Sequence, residues 1–224
     1  MKVGKKSSKV QCFLEGIPIE QVQQFTYLGC CISEDGKLEK EINSRIGKAN
    51  AIAAQLRGGI FNKKEVSKRT KLKVHKAIFR PVLMYGSESW TDNGSIIHKA
   101  EVADMKVLRM IGGVNRRDQW EEQISNDDIR RDLGVKSVED MAGQARLRWW
   151  GHVMRMEDGR IPKRILNSSV DGKRGRGRPR RKWIEAVGSD LEDRKVSWEE
   201  ARWSALDRTK WRRIVYNKVD VDAE

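Results

Sequence analysis

"FTYLGCCISEDGKLEKEINSRIGKAN", residues 25–50, changes its hydrophobic period halfway along. The first half carries the β-formers Phe25, Thr26, Tyr27 and Ile32 and runs into the turn sequence Ser33-Glu34-Asp35-Gly36-Lys37. Beyond it, apolar residues fall at Leu38, Ile42, Ile46, Ala49, Ile52 and Leu56, spacings of 4, 4, 3, 3 and 4 that trace one face of a helix. Glu41 and Arg45 stand four residues apart and are expected on its outer side, and Gly58–Gly59 are expected to end it. Strand therefore gives way to helix at this point in the chain.

Working outward, the preceding stretch from Val10 breaks at Glu15–Gly16 and Pro18 and resumes at Val22, which predicts a hairpin or short meander over about 9–33. One hairpin is marginal alone, so it is expected to pack on helices. Downstream, a second helix is expected over about 64–79, with Leu72, His75 and Phe79 as a narrow inward stripe and cations over most of its circumference. The segment from Pro81 to Trp90 is expected to be buried under these two helices. Further helices are predicted at about 95–110, 126–133 and 137–156. In the last, Val138, Met141, Ala145, Trp149, His152 and Met156 form the expected inner face. Trp183, Val187 and Leu191 mark another helix, Ser197 caps "WEEARWSAL", and Asp207 opens "DRTKWRRIVY".

The 224 residues carry 46 Lys and Arg against 32 Asp and Glu, a net charge of +14, and the isoelectric point is about 9.8. A surplus of that size points to polyanionic partners, most often nucleic acid. The first 100 residues hold 18 basic and 9 acidic side chains, the remaining 124 hold 28 and 23. Three cysteines make no disulfide framework, which fits a reducing compartment, and no Cys-x-x-Cys or clustered histidine suggests zinc. No apolar run approaches the ~20 residues of a membrane span, and the basic start lacks the apolar segment of a secretory signal. A soluble intracellular protein is the expectation.

Catalysis needs convergent groups, and none is evident. Asp127–Asp128 stand where a helix N-terminus would use them rather than as paired metal ligands. His152 reads as a core histidine. No phosphate-binding loop, Gly-x-Ser-x-Gly or His-Glu-x-x-His occurs. Of the eight tryptophans, Trp90, Trp149, Trp183 and Trp211 are expected in the core. Trp150 is either a stacking platform for a base, with Arg146, Arg148 and Arg155 around it, or part of a helix face packed on two sides.

Residues 172–183, "GKRGRGRPRRKW", hold seven Lys or Arg and no acid. Glycines and Pro179 prevent a continuous helix. Arg176-Gly177-Arg178-Pro179 matches the core of an AT-hook, in which arginines enter a narrow A·T minor groove.

The order of the pieces is more informative than any one of them. Tyr27-Leu28-Gly29 is followed by Pro81 with Tyr85-Gly86 and Glu88-x-Trp90, by Leu147-Arg148-Trp149 with Gly151-His152-Val153, and by Gly177-Arg178-Pro179 with Arg181 and Trp183. In this order the chain, from about Val10 to Tyr216, resembles the C-terminal part of the endonuclease–reverse transcriptase polyprotein of LINE-type (non-long-terminal-repeat) retrotransposons. The resemblance implies a thumb-like helical region that grips template–primer duplex by its backbone, followed by a post-thumb tail. It implies that the endonuclease, fingers and palm, with the metal-binding aspartates, lie upstream of Met1, so that this chain does not polymerise by itself.

The expected fold is mainly α with a short N-terminal β hairpin or meander, a thumb-like bundle and a second helical region. Residues 1–35 form the β element, 36–115 the thumb-like region, 116–166 a helical region, 167–182 a basic loop, 183–217 the C-terminal helices and 218–224 a tail. Nucleic acid is the expected partner, an intact polymerase in trans is a further candidate, and no cofactor, metal, membrane or small-molecule substrate is expected. The expected contacts are Lys64, Lys68, Arg69, Lys71, Lys73, Lys76 and Arg80, then Arg146, Arg148 and Trp150. Lys173, Arg174, Arg176, Arg178, Arg180, Arg181 and Lys182 complete the set. Two alternatives stand beside this reading, a free-standing AT-hook regulator and the non-functional product of a decayed element. The expected location is intracellular, nucleus or cytoplasm, with the nucleus favoured because the basic run matches the composition of an import signal.

Overall fold

The computed structural model of the chain describes residues 11–91, 94–168 and 181–216. Two antiparallel two-stranded sheets open it. Strands β1 (Cys12–Leu14) and β2 (Ile17–Ile19) pair Leu14 with Ile17, and β3 (Gln24–Tyr27) and β4 (Cys30–Ser33) pair Tyr27 with Cys30. Each hairpin turns on two residues, Glu15–Gly16 and Leu28–Gly29, all four with positive φ. Two-residue turns of this hand match the right-handed twist of the strands they join.

Helix α1 (Glu39–Leu56) follows the turn, as the change of period requires. It does not end at Gly58–Gly59. A wider π turn carries the chain from Arg57 to Phe61, closed by Asn62 N–H donating to Arg57 O at 2.9 Å. The buried Phe61 anchors that extra turn.

The next helix begins later than its cations suggest. Ser67 caps it by accepting from Thr70 N–H, so α2 spans Lys68–Val74 and Lys64 lies outside it. The chain then passes through a π turn (His75–Phe79) into α3 (Arg80–Leu83). Pro81 has no N–H to donate, and the widened turn just before it lets the helix continue where an α-helix would break.

Helix α4 (Ser95–Gly112) ends at Gly113, whose φ of 77° is the left-handed cap. Two short helices follow, α5 (Arg116–Glu121) and α6 (Asn126–Leu133), each closed by a reciprocal capping box, Asn115 with Asp118 and Ser125 with Asp128. Asp128 is thus a helix cap, as its position suggests. Helix α5 was not foreseen.

These elements form one compact unit, the described residues up to Tyr85 together with 94–135. Its core joins Ile42, Ala49, Phe79 and Leu83 to Ala100, Leu108 and Ile111 of α4, with Ile129 and Leu133 of α6 also buried. Beneath them lies a buried charge cluster. Asp104 on α4 accepts from His75 Nε2 at 2.8 Å and from Arg80 Nη2 at 2.7 Å.

The second unit comprises the described residues of 86–93 and 136–224. The short segment 86–91 thus belongs to this unit rather than to the one that holds the first two helices. Its Trp90 is fully buried in the second unit. Here α7 (Val138–Met154) is the axis, and α8 (Ile161–Asn167), α9 (Trp183–Glu192), α10 (Trp198–Leu206) and α11 (Arg208–Tyr216) pack around it. Leu147, Trp150, Val187, Leu191, Trp211 and Val215 form one apolar cluster. The fold is mainly helical with a short N-terminal β region. Among the described residues no helix is long and apolar enough to cross a membrane.

A candidate nucleic-acid interface

The cations expected on the second helix divide into two sets. Lys64, Arg69 and Lys73 are exposed, as are Lys68, 3.8 Å from Asp132, and Lys76, which donates to the Gly134 carbonyl at 3.2 Å. Lys71 and Arg80 are buried. The guanidinium of Arg80 is held by Asp104 through Nε at 3.3 Å as well as Nη2. Arg80 is therefore a core group rather than a phosphate contact, because His75 and Asp104 draw its side chain inward.

The expected cluster on α7 is corrected in a similar way. Arg146 is only 5% exposed. It grips Asp190 with two bonds of 2.7 Å and donates from Nη1 to the Trp90 carbonyl at 2.9 Å. Trp150 is 2% exposed and lies 5.1 Å from the Trp211 ring and 6.0 Å from Trp198. The packed face is the reading that holds for it, and it is no platform for a base. Trp149, expected in the core, is 40% exposed instead. It contacts His152, which also faces outward. Arg148 is exposed.

Two glycines explain the phase of this helix. A Cβ at Gly143 would meet Asp190 Oδ1 at 2.6 Å, and one at Gly151 would meet Trp211 Nε1 at 2.0 Å. The sequence Arg146 to Val153 is thus the packing centre of the second unit. The other family-like motif, Tyr27-Leu28-Gly29 with Tyr85, is also structural. Tyr85 Oη donates to the Leu28 carbonyl at 2.6 Å, and Arg45 reaches the Gly29 carbonyl while its guanidinium lies 4.5 Å over the Tyr85 ring.

Of the basic run, Lys173, Arg174, Arg176, Arg178 and Arg180 lie outside the described residues. Arg181 leans on α9, bonded to Ser189 Oγ, and Lys182 is exposed at that helix's N-cap.

The first unit also holds a site that was not expected. A cleft of about 670 Å³ runs between α1 and α4 and reaches the start of α5. Its basic lining is Arg57, Lys99, Lys106, Arg109 and Arg116, and no acidic residue lines it. Its apolar lining includes Ile46, Val102, Met110 and Val114.

Helix geometry accounts for this grouping. Lys99, Val102, Lys106, Arg109 and Gly113 follow one another at three or four residues along one edge of α4. Ile46 and Asn50 present the facing edge of α1, and the π turn swings Arg57 into line with them. Gly113 stops α4, and the Asn115 cap starts α5 at once, which brings Arg116 back to the cleft.

The electrostatics of the cleft are unbalanced. Lys99 is 2.9 Å from Glu39, but among the described residues no carboxylate pairs with Arg57, Lys106, Arg109 or Arg116. Burial and the neighbouring charge of Arg116 both hold Arg109 below its ordinary pKa. Its partner is the neutral Gln119 amide oxygen, at 3.3 Å. An anion in the cleft would relieve that repulsion. Among the described residues no group of three or more His, Cys, Asp or Glu is placed to hold a metal ion.

Comparison with known proteins gives an alignment 202 residues long, at 26% identity, with an uncharacterised transposon-derived protein of Caenorhabditis elegans. The match covers 88% of this chain and 71% of that relative. No protein-family model matches, and no solved structure gives a significant match.

Proposed function

We propose that this chain is the product of a transposable element and binds nucleic acid by its sugar–phosphate backbone, mainly through the cleft between α1 and α4. The similarity to a transposon-derived protein supports the origin. The finer assignment, drawn from the order of the motifs, is to the thumb and post-thumb region of a LINE-type reverse transcriptase.

The observation that carries the binding proposal is the cleft lined by five cations and no acid. Unpaired cations facing one another cost free energy, and a polyanion recovers it by ion pairing and counterion release. The exposed Lys64, Arg69 and Lys73 of the same unit add to the attraction. None of these groups needs to read a base, so affinity is expected to be indifferent to sequence.

The test is fluorescence anisotropy of the full chain with labelled single-stranded, duplex and RNA–DNA hybrid oligonucleotides, titrated from about 50 to 200 mM salt. Binding that weakens steeply and linearly in log–log form is expected. Absence of binding to every form at the low-salt end overturns the proposal.

A further inference from the structure

We propose that the α1–α4 cleft is selective for single-stranded nucleic acid, taking an unstacked base on its apolar floor while its cations hold the flanking phosphates. This rests on the backbone-binding reading above and departs from the duplex grip implied by the family resemblance.

The lining decides between the two strand forms. A duplex offers a protein its phosphates and the edges of its bases, while the base faces remain stacked inside. Cations alone would suffice for it, and an apolar floor would gain nothing. In this cleft, however, Val102 and Met110 lie between the cations, and Val102 is 44% exposed. A single strand carries both complements, a flat apolar base face and a charged linkage on either side of it.

Size agrees with that occupant. About 670 Å³ falls within the range that encloses small organic ligands, which suits one nucleotide rather than the breadth of a helix.

A second observation lies on α5. Trp120 is 76% exposed, and it stands one helical turn beyond Arg116 on the same side of α5. Arg116 lines the cleft, and the four-residue spacing puts an exposed aromatic face on the same side of α5 as that cation. Alternation of cations with exposed aromatic surface is the chemistry by which proteins hold single strands without reading their sequence. An acidic peptide would satisfy the cations but has no use for a stacking face.

The experiment compares four probes on the full chain at one low salt concentration. They are a single-stranded 12-mer, an abasic strand of the same length and charge, the corresponding duplex, and an oligoglutamate peptide. The single strand is expected to bind at least about five-fold tighter than the abasic strand, the margin of one stacked base. Trp120→Ala should remove most of that margin and leave the abasic affinity and the thermal melt unchanged, whereas Trp120→Phe should retain it. Equal binding of strand and abasic strand, or tighter binding of duplex, overturns strand selectivity while leaving the backbone reading intact. Oligoglutamate that binds as tightly as the strand overturns it in favour of an acidic peptide. Failure of every nucleic-acid probe overturns the backbone reading itself.

Discussion

The indole N–H of Trp211 donates to the carbonyl of Leu147 at 2.9 Å, and the ring that makes this bond occupies the space a side chain at Gly151 would fill. Helices α7 and α11 are joined by this contact, with the Trp150 ring tilted against the same indole. The glycine is required by the approach of a neighbouring ring, not by backbone conformation.

Gly151→Ala is accordingly expected to destabilise the second unit. Alanine gains about 1 kcal/mol of helix propensity, but its Cβ would stand 2.0 Å from Trp211 Nε1, and displacing the indole costs on the order of 2 kcal/mol or more beyond that gain. Urea denaturation followed by tryptophan fluorescence measures the difference, and a variant as stable as the parent contradicts this packing.

The two arginines of Leu147-Arg148-Trp149 and its preceding residue separate cleanly by test. Arg146→Ala leaves Asp190 buried without its partner, and roughly 3–5 kcal/mol of stability is expected to be lost. Arg146→Lys recovers little, since an ammonium cannot reproduce both bonds to Asp190 and the bond to Trp90. Arg148→Ala, on the exposed side, should change stability by less than about 0.5 kcal/mol. Chemical denaturation of the three variants under one condition decides it.

These cases show what the sequence conveyed and where it failed. Helix α6 and the Ser197 cap of α10 were legible because each carries a local signal, a cap followed by an apolar period. The phase of α7 was not. Of Val138, Met141, Ala145, Trp149, His152 and Met156, the expected inner face, Val138 and Ala145 are buried but Trp149 and His152 are exposed, and the buried positions also include Ala142, Gly143, Arg146, Leu147, Trp150 and Gly151. A helix enclosed by several neighbours is buried over most of its circumference, and its closest contacts are made through glycine and alanine, which an apolar count ignores. The π turns were hidden for a related reason, since Gly58–Gly59 and Pro81 usually end a helix and here tertiary anchors at Phe61 and Phe79 override them. The cleft was illegible because its cations come from three elements, and Arg57 lies far along the chain from the other four. Only Lys99, Lys106 and Arg109, at helical spacing along one edge, offered a local hint.

The buried cluster in the first unit sets an acid limit on its stability. Burial alone would raise the pKa of Asp104, but its hydrogen bonds from His75 and Arg80 and the charge of Arg80 outweigh that and hold it below its ordinary value. The unfolded carboxyl therefore protonates at a higher pH than the folded one. The stabilisation is present above the unfolded value of about 3.9 and is lost as pH falls through the lower folded value. Asp104→Asn should be less stable than the parent near neutrality, with the gap narrowing below about pH 4. Melts recorded from pH 7 to pH 2 check the sign.

The second hairpin offers a test in the stabilising direction. Leu28 holds a φ of 47°, a left-handed conformation unfavourable for leucine, while its carbonyl serves Tyr85. Leu28→Asn keeps that carbonyl and suits the turn, so a gain of up to about 1 kcal/mol is expected. Gly29→Ala, at a φ of 84°, should lose about 1–2 kcal/mol instead. Equal effects of the two substitutions on urea midpoints would contradict this account of the turn.

The measurement closest to the central claim compares two double substitutions in the first unit, Lys106→Ala with Arg109→Ala in the cleft and Lys64→Ala with Arg69→Ala outside it. Each removes two positive charges, so any difference between them reports location rather than net charge. If the cleft is the principal contact, the cleft variant binds a single-stranded oligonucleotide at least about ten-fold more weakly than the parent and its affinity depends less steeply on salt. The other variant loses only a few-fold. Equal losses from the two pairs, with both proteins melting as the parent does, would mean that diffuse positive charge and not the cleft binds the strand.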